Sequence, residues 1–206
     1  MGFDSLDPRV KRMNLVLHRK EEYQNKALDQ LPTYEVFLQI KDGKAYEHAG
    51  IVHAATADMA FVFAKEQFSR RYTCSGMWVV PSENVWVTAC MELEENVYDH
   101  IQDMLMESDG PQQEYEVFHL LKRGKQHRHA GTVLATGHQQ AIVQAKAQFD
   151  DGTPVLNLWT VKKDDICATS DEDRVIWSTL KEKTHREVIS YRAGDKIKGF
   201  KERQNG

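Results

Sequence analysis

One stretch of this chain occurs twice, at a constant offset of 81 positions (34 to 115). Tyr-Glu-Val-Phe begins at Tyr34 and again at Tyr115. Each occurrence is followed by a Lys-x-Gly-Lys turn and then by His-Ala-Gly, which begins at His48 and at His129. The agreement continues without a gap over roughly 55 aligned positions, of which about 21 are identical. Because chance does not produce such agreement, the pattern indicates a tandem duplication, and we expect each copy to be one folding unit.

The first copy has the pattern of a β-β-α-β unit. The predicted elements are strands at 33–40 and about 46–54, a helix from about 57 to 70, a strand at 77–80 and a short segment around 85–87. Asp42-Gly43 is typical of a tight hairpin, because glycine readily takes the positive φ that such a turn requires. Gly50, inside the second strand, indicates a bulge or the close approach of another backbone. Thr56 is a suitable N-cap for the helix.

The second copy repeats this order, with strands at 115–121, 127–135 and 156–161 and a helix at about 138–149. The fold class is therefore predicted as α+β, with two tandem β-β-α-β repeats and antiparallel sheets. Phe37 and Phe118 fall on the sheet face opposite to Val36 and Val117. Two copies can cover these faces mutually, so we expect a pseudo-twofold axis and a fused dimer.

The rest of the chain surrounds these copies. The predicted divisions are a 1–31 N-terminal arm, a 32–91 first copy, a 92–113 helical linker, a 114–195 second copy with a C-terminal segment, and a 196–206 flexible tail. In the arm, Asp7-Pro8 is a possible helix start that places Val10, Met13 and Leu17 on one face. In the linker, the spacing predicts a helix over 92–106, ended by Asp109-Gly110-Pro111.

Composition excludes several classes of function. A formal net charge of −4 over 206 residues offers no argument for a nucleic-acid or membrane partner. Three cysteines without a C-x-x-C pair do not make a disulfide framework, and they fit a reducing cytoplasm. No apolar run reaches the length of a membrane helix, and the charged N-terminus lacks the pattern of a signal peptide.

A search for catalytic chemistry finds no complete set. His127 and His129 alternate on one strand, but further ligands at metal-binding spacing are missing. Glu-x-x-His occurs at Glu116–His119, within a predicted strand, where residues three apart point to opposite faces. A second Glu-x-x-His, Glu182–His185, has no companion motif. Nucleophile and phosphate-loop motifs are also missing. We therefore expect no catalytic, cofactor or metal residues in this chain.

The second hairpin is basic where the first is mixed. This hairpin, Lys122-Arg123-Gly124-Lys125 with Arg128, forms either a solvated turn or a surface for an anionic partner or an acyl-CoA phosphate. Nucleic acid is the weaker alternative. The candidate partner interface combines this hairpin with the histidines and the two repeated phenylalanines: Phe37, His48, Phe118, Arg123, Lys125, His127, Arg128 and His129.

The repeated segment resembles the phenylacetic acid degradation B family (PaaB), the B component of phenylacetyl-CoA epoxidase. The resemblance rests on Tyr115-Glu116-Val117-Phe118, on Lys122-Arg123-Gly124-Lys125-x-His127-Arg128-His129-x-Gly131 and on Leu158-Trp159-x-Val161. The tail segment Glu182-Lys183-Thr184-His185-Arg186 is also similar to that family. Family members are typically about half this length, so the chain looks like a tandem form.

The resemblance implies an accessory role in a larger complex. Members of the family bridge the ferritin-like catalytic and structural subunits of a di-iron oxygenase that acts on an aryl-CoA thioester. Iron, flavin, an iron–sulfur cluster and NADPH are then expected on partner chains and not on this one. The first copy departs from the family pattern, since it has Asp42, Ala45, Tyr46 and Glu47 in place of the basic tip. The two copies are therefore not expected to bind partners equivalently.

Two other classes of function remain open at this stage. One is a tandem ferredoxin-like α+β barrel, working as a small cofactor-free or haem-binding monooxygenase with His48 or His129 at its site. The other is a cytosolic ligand-binding regulatory module. Both require a pocket, whereas a bridging subunit requires a docking surface.

Overall fold

The computed structural model of the chain describes residues 5, 7–13, 30–69, 74–92, 95–101, 110–178 and 193–204. In the arm, helix α1 spans Pro8–Lys11 and is capped by Asp7, whose side chain accepts from the Arg9 backbone N–H. The first copy contains β1 Thr33–Gln39, β2 Glu47–His53, α2 Ala57–Phe68, β3 Gly76–Pro81 and β4 Val85–Val87. The second contains β5 Gln113–Leu120, β6 Arg128–Ala135, α3 His138–Phe149, β7 Asn157–Lys162 and β8 Cys167–Ala168. After it come α4 Val175–Ser178 and α5 Ala193–Gln204.

All eight strands form one antiparallel sheet. Its order is β4-β7-β5-β6-β2-β1-β3-β8. The copies meet at β2 and β6, where the His48 N–H donates to the His127 carbonyl at 2.8 Å and the His129 N–H donates to the Tyr46 carbonyl at 2.8 Å. The last strand of each copy pairs with the third strand of the other, β4 with β7 and β8 with β3.

The sheet curls strongly. Strands β3 and β4 lie near opposite ends of the strand order, yet only a 3₁₀ turn at Ser82–Asn84 connects them. The turn at Lys163–Asp165 similarly leads from β7 towards β8. A chain of three residues spans only about 10 Å, so the two ends of the sheet must lie close together. The sheet therefore has a concave inner face and a convex outer face.

The two helices cover the outer face. Because residues alternate along a strand, Tyr34, Val36 and Leu38 of β1 point towards α2 and pack with its buried Ala60 and Ala64. The second copy builds the same kind of core between β5 and α3, with Tyr98 of the linker packed against it. The residues that alternate with them along each strand point to the inner face.

Each helix approaches the sheet closely at one glycine. The register of β1 and β2 shifts between Val36 and Phe37, opposite Gly50, which confirms the predicted irregularity. A Cβ on Gly50 would lie 2.8 Å from the Phe68 ring of α2. A Cβ on Gly131 would lie 2.5 Å from the Phe149 ring of α3. Each phenylalanine thus packs on a strand position that has no side chain.

The α+β class and the antiparallel pairing are confirmed. The expectation of separate sheets is wrong, because the copies share one sheet. Each copy supplies one strand to the other copy's part of that sheet, because β4 pairs with β7 and β8 pairs with β3.

Outside the two copies, the predictions meet the structure only in part. A short helix does follow Asp7, while Leu17 lies outside the described residues. Of the predicted linker helix, the described part contains a 3₁₀ turn at Val97–His100, followed by extended Ile101. The other part, 102–106, lies outside the described residues, as does 179–192 of the C-terminal segment. The polar tail overlaps a helix, α5, that was not predicted.

Candidate functional site

The inner face of the sheet is filled by aromatic side chains from both copies. We call the fully or largely buried residues Phe37, Val80, Val85, Phe118, Trp159 and Val161 the inner cluster. Phe37 and Phe118 have no exposed surface. Their rings stack with centroids 4.2 Å apart. The cluster therefore joins the two copies through buried apolar contacts.

Two tryptophans link the copies in the same manner. Trp159 stacks on His127 of its own copy at 3.7 Å and contacts His48 of the other copy edge-on at 5.0 Å. Trp78 stacks on Tyr46 of its own copy at 3.8 Å and contacts His129 of the other copy edge-on at 5.2 Å. Each tryptophan thus lies between a ring of its own copy and a histidine of the other.

Glu35 is a buried carboxylate on this inner face, with 1% of its surface exposed. It accepts from His48 Nε2 at 2.7 Å, from Arg12 Nη1 at 2.8 Å and from Ser82 Oγ at 3.1 Å. Burial by itself raises the pKa of Glu35, but the His48 hydrogen bond and the Arg12 charge outweigh it and leave that pKa lowered. The carboxylate is therefore ionised and neutralised by an arginine from the N-terminal arm.

Arg12 is itself held in place from several sides. It donates to the Ser82 carbonyl at 3.0 Å, and its guanidinium lies 4.9 Å from the centre of the Trp159 ring. Burial lowers the pKa of Arg12, and the charge of Glu35 partly offsets that effect. The arm is thus fixed to the inner face by one charged side chain.

Glu116 occupies the corresponding position in the second copy but has different partners. It accepts from His129 Nε2 at 2.6 Å and from Thr132 Oγ1 at 2.8 Å. Position 132 corresponds to Ile51 in the first copy. A threonine hydroxyl has therefore replaced the arginine as a hydrogen-bond donor to the second carboxylate.

His127 lines a cavity of about 310 Å³ beside the arm, together with Arg12, Met13, Asn157 and Trp159. Its Nε2 donates to Asn157 Oδ1 at 2.7 Å, since the Asn157 amide nitrogen donates to the Thr88 carbonyl at 2.7 Å. Burial lowers the pKa of His127 to about 4, so the ring is neutral at physiological pH. The first copy has Tyr46 and Gly76 at the corresponding positions, and there the tyrosine hydroxyl packs directly on the glycine.

The side chains of the Glu116–His119 motif point to opposite faces of the sheet, as predicted for residues three apart in a strand. Glu116 points inwards, whereas His119 points outwards and forms a 2.6 Å hydrogen bond with the Tyr98 hydroxyl. Burial lowers the pKa of His119 to about 4. These two side chains therefore cannot share a ligand.

The polar side chains of the inner face are hydrogen-bonded to one another. Within the described ranges, no group of three or more His, Cys, Asp or Glu side chains is placed to hold a metal ion. The Glu35–His48 and Glu116–His129 pairs each supply two possible ligands, and in each pair the two side chains are hydrogen-bonded to one another. Such pairs satisfy buried polar groups that the sheet would otherwise leave unpaired.

The basic hairpin lies on the surface. Arg123 forms an exposed ion pair with Glu92 at 3.2 Å, and Arg128 lies 3.9 Å from Glu47 across the junction of the copies. Lys122 and Lys125 have exposed side chains for which the described part of the chain provides no ion-pair partner. Among the described residues, these two lysines are the positive charges of the hairpin without an ion-pair partner.

The structure thus divides the eight predicted interface residues. Arg123, Lys125 and Arg128 are exposed. The other five, Phe37, His48, Phe118, His127 and His129, belong to or contact the inner cluster. For Phe37 and Phe118, complete burial leaves no surface for another chain, because each is already covered by the opposite copy.

Sequence reasoning missed Arg12, Glu35 and Glu116. Arg12 has no periodic or repeated signal, since the arm occurs once. The glutamates did carry a signal, because a charged residue recurs at the same position between apolar strand residues in both copies. A charge repeated there indicates an inward carboxylate with a buried partner.

Comparison with known proteins gives a consistent assignment. The model of the family described as phenylacetic acid degradation B matches residues 30–103 and 112–198. The chain is also similar to the Escherichia coli K12 protein named as the B component of 1,2-phenylacetyl-CoA epoxidase. The two are 37% identical over 54 residues, which is 26% of this chain and 57% of that protein. The chain thus spans a little over half the length of the curated relative that it matches. No solved structure matches the chain, and none of its described helices has the length and apolar character needed to cross a membrane.

Proposed function

The chain belongs to the phenylacetic acid degradation B family, and on that premise we propose that it is a non-catalytic bridging subunit of a bacterial multicomponent di-iron monooxygenase. The family match, which covers both copies, is the observation that carries this proposal. The complex would be of the phenylacetyl-CoA epoxidase type, as the name of the E. coli relative suggests. In that role the chain holds other subunits together and takes no part in oxygen chemistry.

We further propose that the two copies form a fused dimer around a pseudo-twofold axis. In support, exchanging the equivalent strands of the two copies gives the same strand order read in reverse. The equivalent pairs are β4 and β8, β7 and β3, β5 and β1, and β6 and β2. The stacked Phe37 and Phe118 would lie at the axis. A homodimer of half-length chains would bury the same apolar faces, so fusion fixes two modules at equal stoichiometry.

The proposed partners are ferritin-like catalytic and structural oxygenase subunits in the cytoplasm. Di-iron, flavin, iron–sulfur and NADPH sites are assigned to those partners and to their reductase. The inner face of this chain supports the division of roles, because Glu35 is paired with His48 and Glu116 is paired with His129.

The second hairpin is the proposed contact with the oxygenase chains. Lys122 and Lys125 are exposed and lack intramolecular ion pairs within the described structure, whereas Arg123 and Arg128 lie near Glu92 and Glu47. Positions 122–128 contain four basic residues and no acidic one, whereas positions 41–47 contain two basic residues and the acidic Asp42 and Glu47. The second hairpin therefore presents the stronger positive surface to an acidic partner.

A charge-reversal experiment tests this function. The full chain is co-expressed with ferritin-like oxygenase subunits and isolated through a tag on this chain. Lys122→Glu/Lys125→Glu is expected to weaken capture of those subunits by roughly tenfold or more. The matched control is Lys41→Glu/Lys44→Glu in the first hairpin, which is expected to retain capture. Equal capture by both variants removes the second hairpin from the interface, and no capture by the unaltered chain contradicts the bridging role.

The cavity beside His127 supports a second candidate, the small α+β barrel monooxygenase. A curled sheet with a cavity of about 310 Å³ offers room for a small ligand. Oxygen consumption by the purified chain alone, or a Soret band after addition of haem, would favour this candidate over the bridging role.

A further inference from the structure

Helix α2 carries an exposed apolar stripe that its counterpart α3 lacks. Met59, Val62 and Phe63 are 43%, 47% and 41% exposed, and their spacing places them on one side of the helix. The corresponding residues of α3 are Gln140, Val143 and Gln144. Since both helices cover the same sheet in the same manner, the packing of the core does not account for the extra apolar surface. The stripe is therefore specific to the outward side of the first copy.

The charges beside this stripe also differ between the helices. Asp58 and Glu66 lie near the two ends of the stripe on α2, and α3 has Gln139 and Ala147 at those positions. The basic residue of α2, Lys65, is buried, with 2% exposure. Its Nζ lies 3.6 Å from Glu66 Oε1, so Glu66 is already paired and Asp58 is the acidic group that the stripe has beside it.

Helix α5 has the complementary pattern. Ile197 and Phe200 are 55% and 57% exposed and lie on one side of the helix. At helical spacing, Lys201 and Arg203 flank this pair on its two sides, while Asp195 and Glu202 lie on the opposite side. A helix with an apolar stripe and basic flanks is suited to an apolar surface that has an acidic residue such as Asp58 beside it.

We propose that the exposed stripe of α2 binds α5 of a second copy of this chain. In the chain itself both surfaces remain exposed, so its own α5 does not cover its own stripe. Helix α4 lies next to the C-terminal end of α2, because the Trp177 indole N–H donates to Ser69 Oγ at 2.8 Å. The chain that leads to α5 therefore starts beside α2. Fourteen residues, 179–192, separate α4 from α5, and a chain of that length can span up to about 45 Å. Reciprocal exchange of two tails gives a closed dimer, which has no free end for further growth.

The first measurement is the mass of the purified full chain by light scattering at micromolar concentration. One copy has a mass of 23.7 kDa, and the proposal predicts twice that value. Val62→Glu/Phe63→Glu in α2 and Ile197→Glu/Phe200→Glu in α5 are each expected to raise the dimer dissociation constant by roughly 100-fold or more, since each removes apolar contacts and adds charge to both interfaces. Val143→Glu/Gln144→Glu in α3 is the matched control and is expected to leave the dimer unchanged.

Mixing the two monomeric variants tests the pairing itself. The α2 variant retains an intact α5, and the α5 variant retains an intact α2 stripe, so the mixture is expected to form a heterodimer with one contact. A monomeric unaltered chain overturns the proposal, as does a mixture in which the variants do not associate. The proposal is also overturned if the α2 variant still dimerises but no longer captures the oxygenase subunits. That result would assign the stripe to those subunits. Because the dimer is measured on this chain alone, its failure leaves the bridging function untouched.

Discussion

Phe37 and Phe118 stack on each other with ring centroids 4.2 Å apart, although they belong to strands that are not neighbours in the sheet. Each comes from a different copy, and each is fully buried. This contact closes the curled sheet across its inner face, so it is expected to control the stability of the whole chain.

Removing either ring should therefore be costly. Phe37→Ala or Phe118→Ala is expected to lower the free energy of unfolding by about 3–5 kcal/mol, because a buried ring is lost and a cavity remains. The double variant should cost less than the sum of the single changes, because the rings contact one another. Urea denaturation measures all three values. Leu134→Ala, at a position on β6 that is 55% exposed, is the control and is expected to change the urea midpoint little.

Replacing Arg12 should leave a buried charge without its arginine. Arg12→Met is expected to destabilise the chain by about 3 kcal/mol, since Glu35 is 1% exposed and retains only His48 and Ser82 as partners. Adding Glu35→Gln should recover part of the loss, because the uncompensated charge is then removed.

The control for Arg12 is Arg9→Met. Arg9 pairs with Asp7 on the surface, where an ion pair contributes about 1 kcal/mol or less. Denaturant titrations of the three variants separate these effects. Equal losses for Arg9→Met and Arg12→Met would show that the arm is held by helix α1 and not by Glu35.

Two buried histidines should make stability depend on pH. Burial lowers the pKa of His119 and of His127 to about 4, from an ordinary value of 6.5. Between these values the unfolded chain binds more protons than the folded chain, so the free energy of unfolding falls as the pH is lowered. The contribution is fully present above pH 6.5 and is lost progressively towards pH 4, at up to about 3 kcal/mol for each histidine.

The first copy provides the variant that tests this dependence. Position 119 corresponds to Leu38, so Tyr98→Phe/His119→Leu removes one histidine without leaving the Tyr98 hydroxyl unpaired. Urea midpoints measured between pH 7.5 and 4.5 should show a shallower decline for this variant than for the unaltered chain. An unchanged decline would mean that His119 is protonated without cost in the folded chain.

The contact between Gly131 and Phe149 should not tolerate a methyl group. Gly131→Ala places a Cβ 2.5 Å from the ring, so the helix must shift, at a cost of about 1–3 kcal/mol in the free energy of unfolding. Adding Phe149→Leu should restore part of that stability. Gly137→Ala is the control, since no atom lies within 4 Å of its Cβ position and its φ of −178° is ordinary extended backbone.

The sequence predicted the repeated elements well because their signals are local and occur twice. The α3 helix begins at His138 and ends at Phe149, as the spacing indicates, and Thr56 caps α2 by accepting from the Met59 backbone N–H at 3.3 Å. Strands of two or three residues, such as β4 and β8, are too short to show periodicity. Their exchange between copies depends on contacts far apart in sequence, which a local pattern does not contain.

The site was predicted only in part for a similar reason. The histidines and phenylalanines were identified by their repetition, but repetition does not distinguish an inner from an outer surface once the sheet curls. Arg12 occurs once, in a polar arm, and nothing near it in sequence indicates that Glu35 binds it. Only the basic residues of the second hairpin combined a clear sequence signal with an exposed position.

The exchange of β4 and β8 has a consequence for how the chain loses its structure. If one copy unfolds, it withdraws a strand from the sheet of the other copy and also exposes the opposite half of the inner cluster. A state with one ordered copy is therefore disfavoured, and the chain is expected to melt in one all-or-none transition despite its repeated sequence. The two similar segments would then share a single melting temperature.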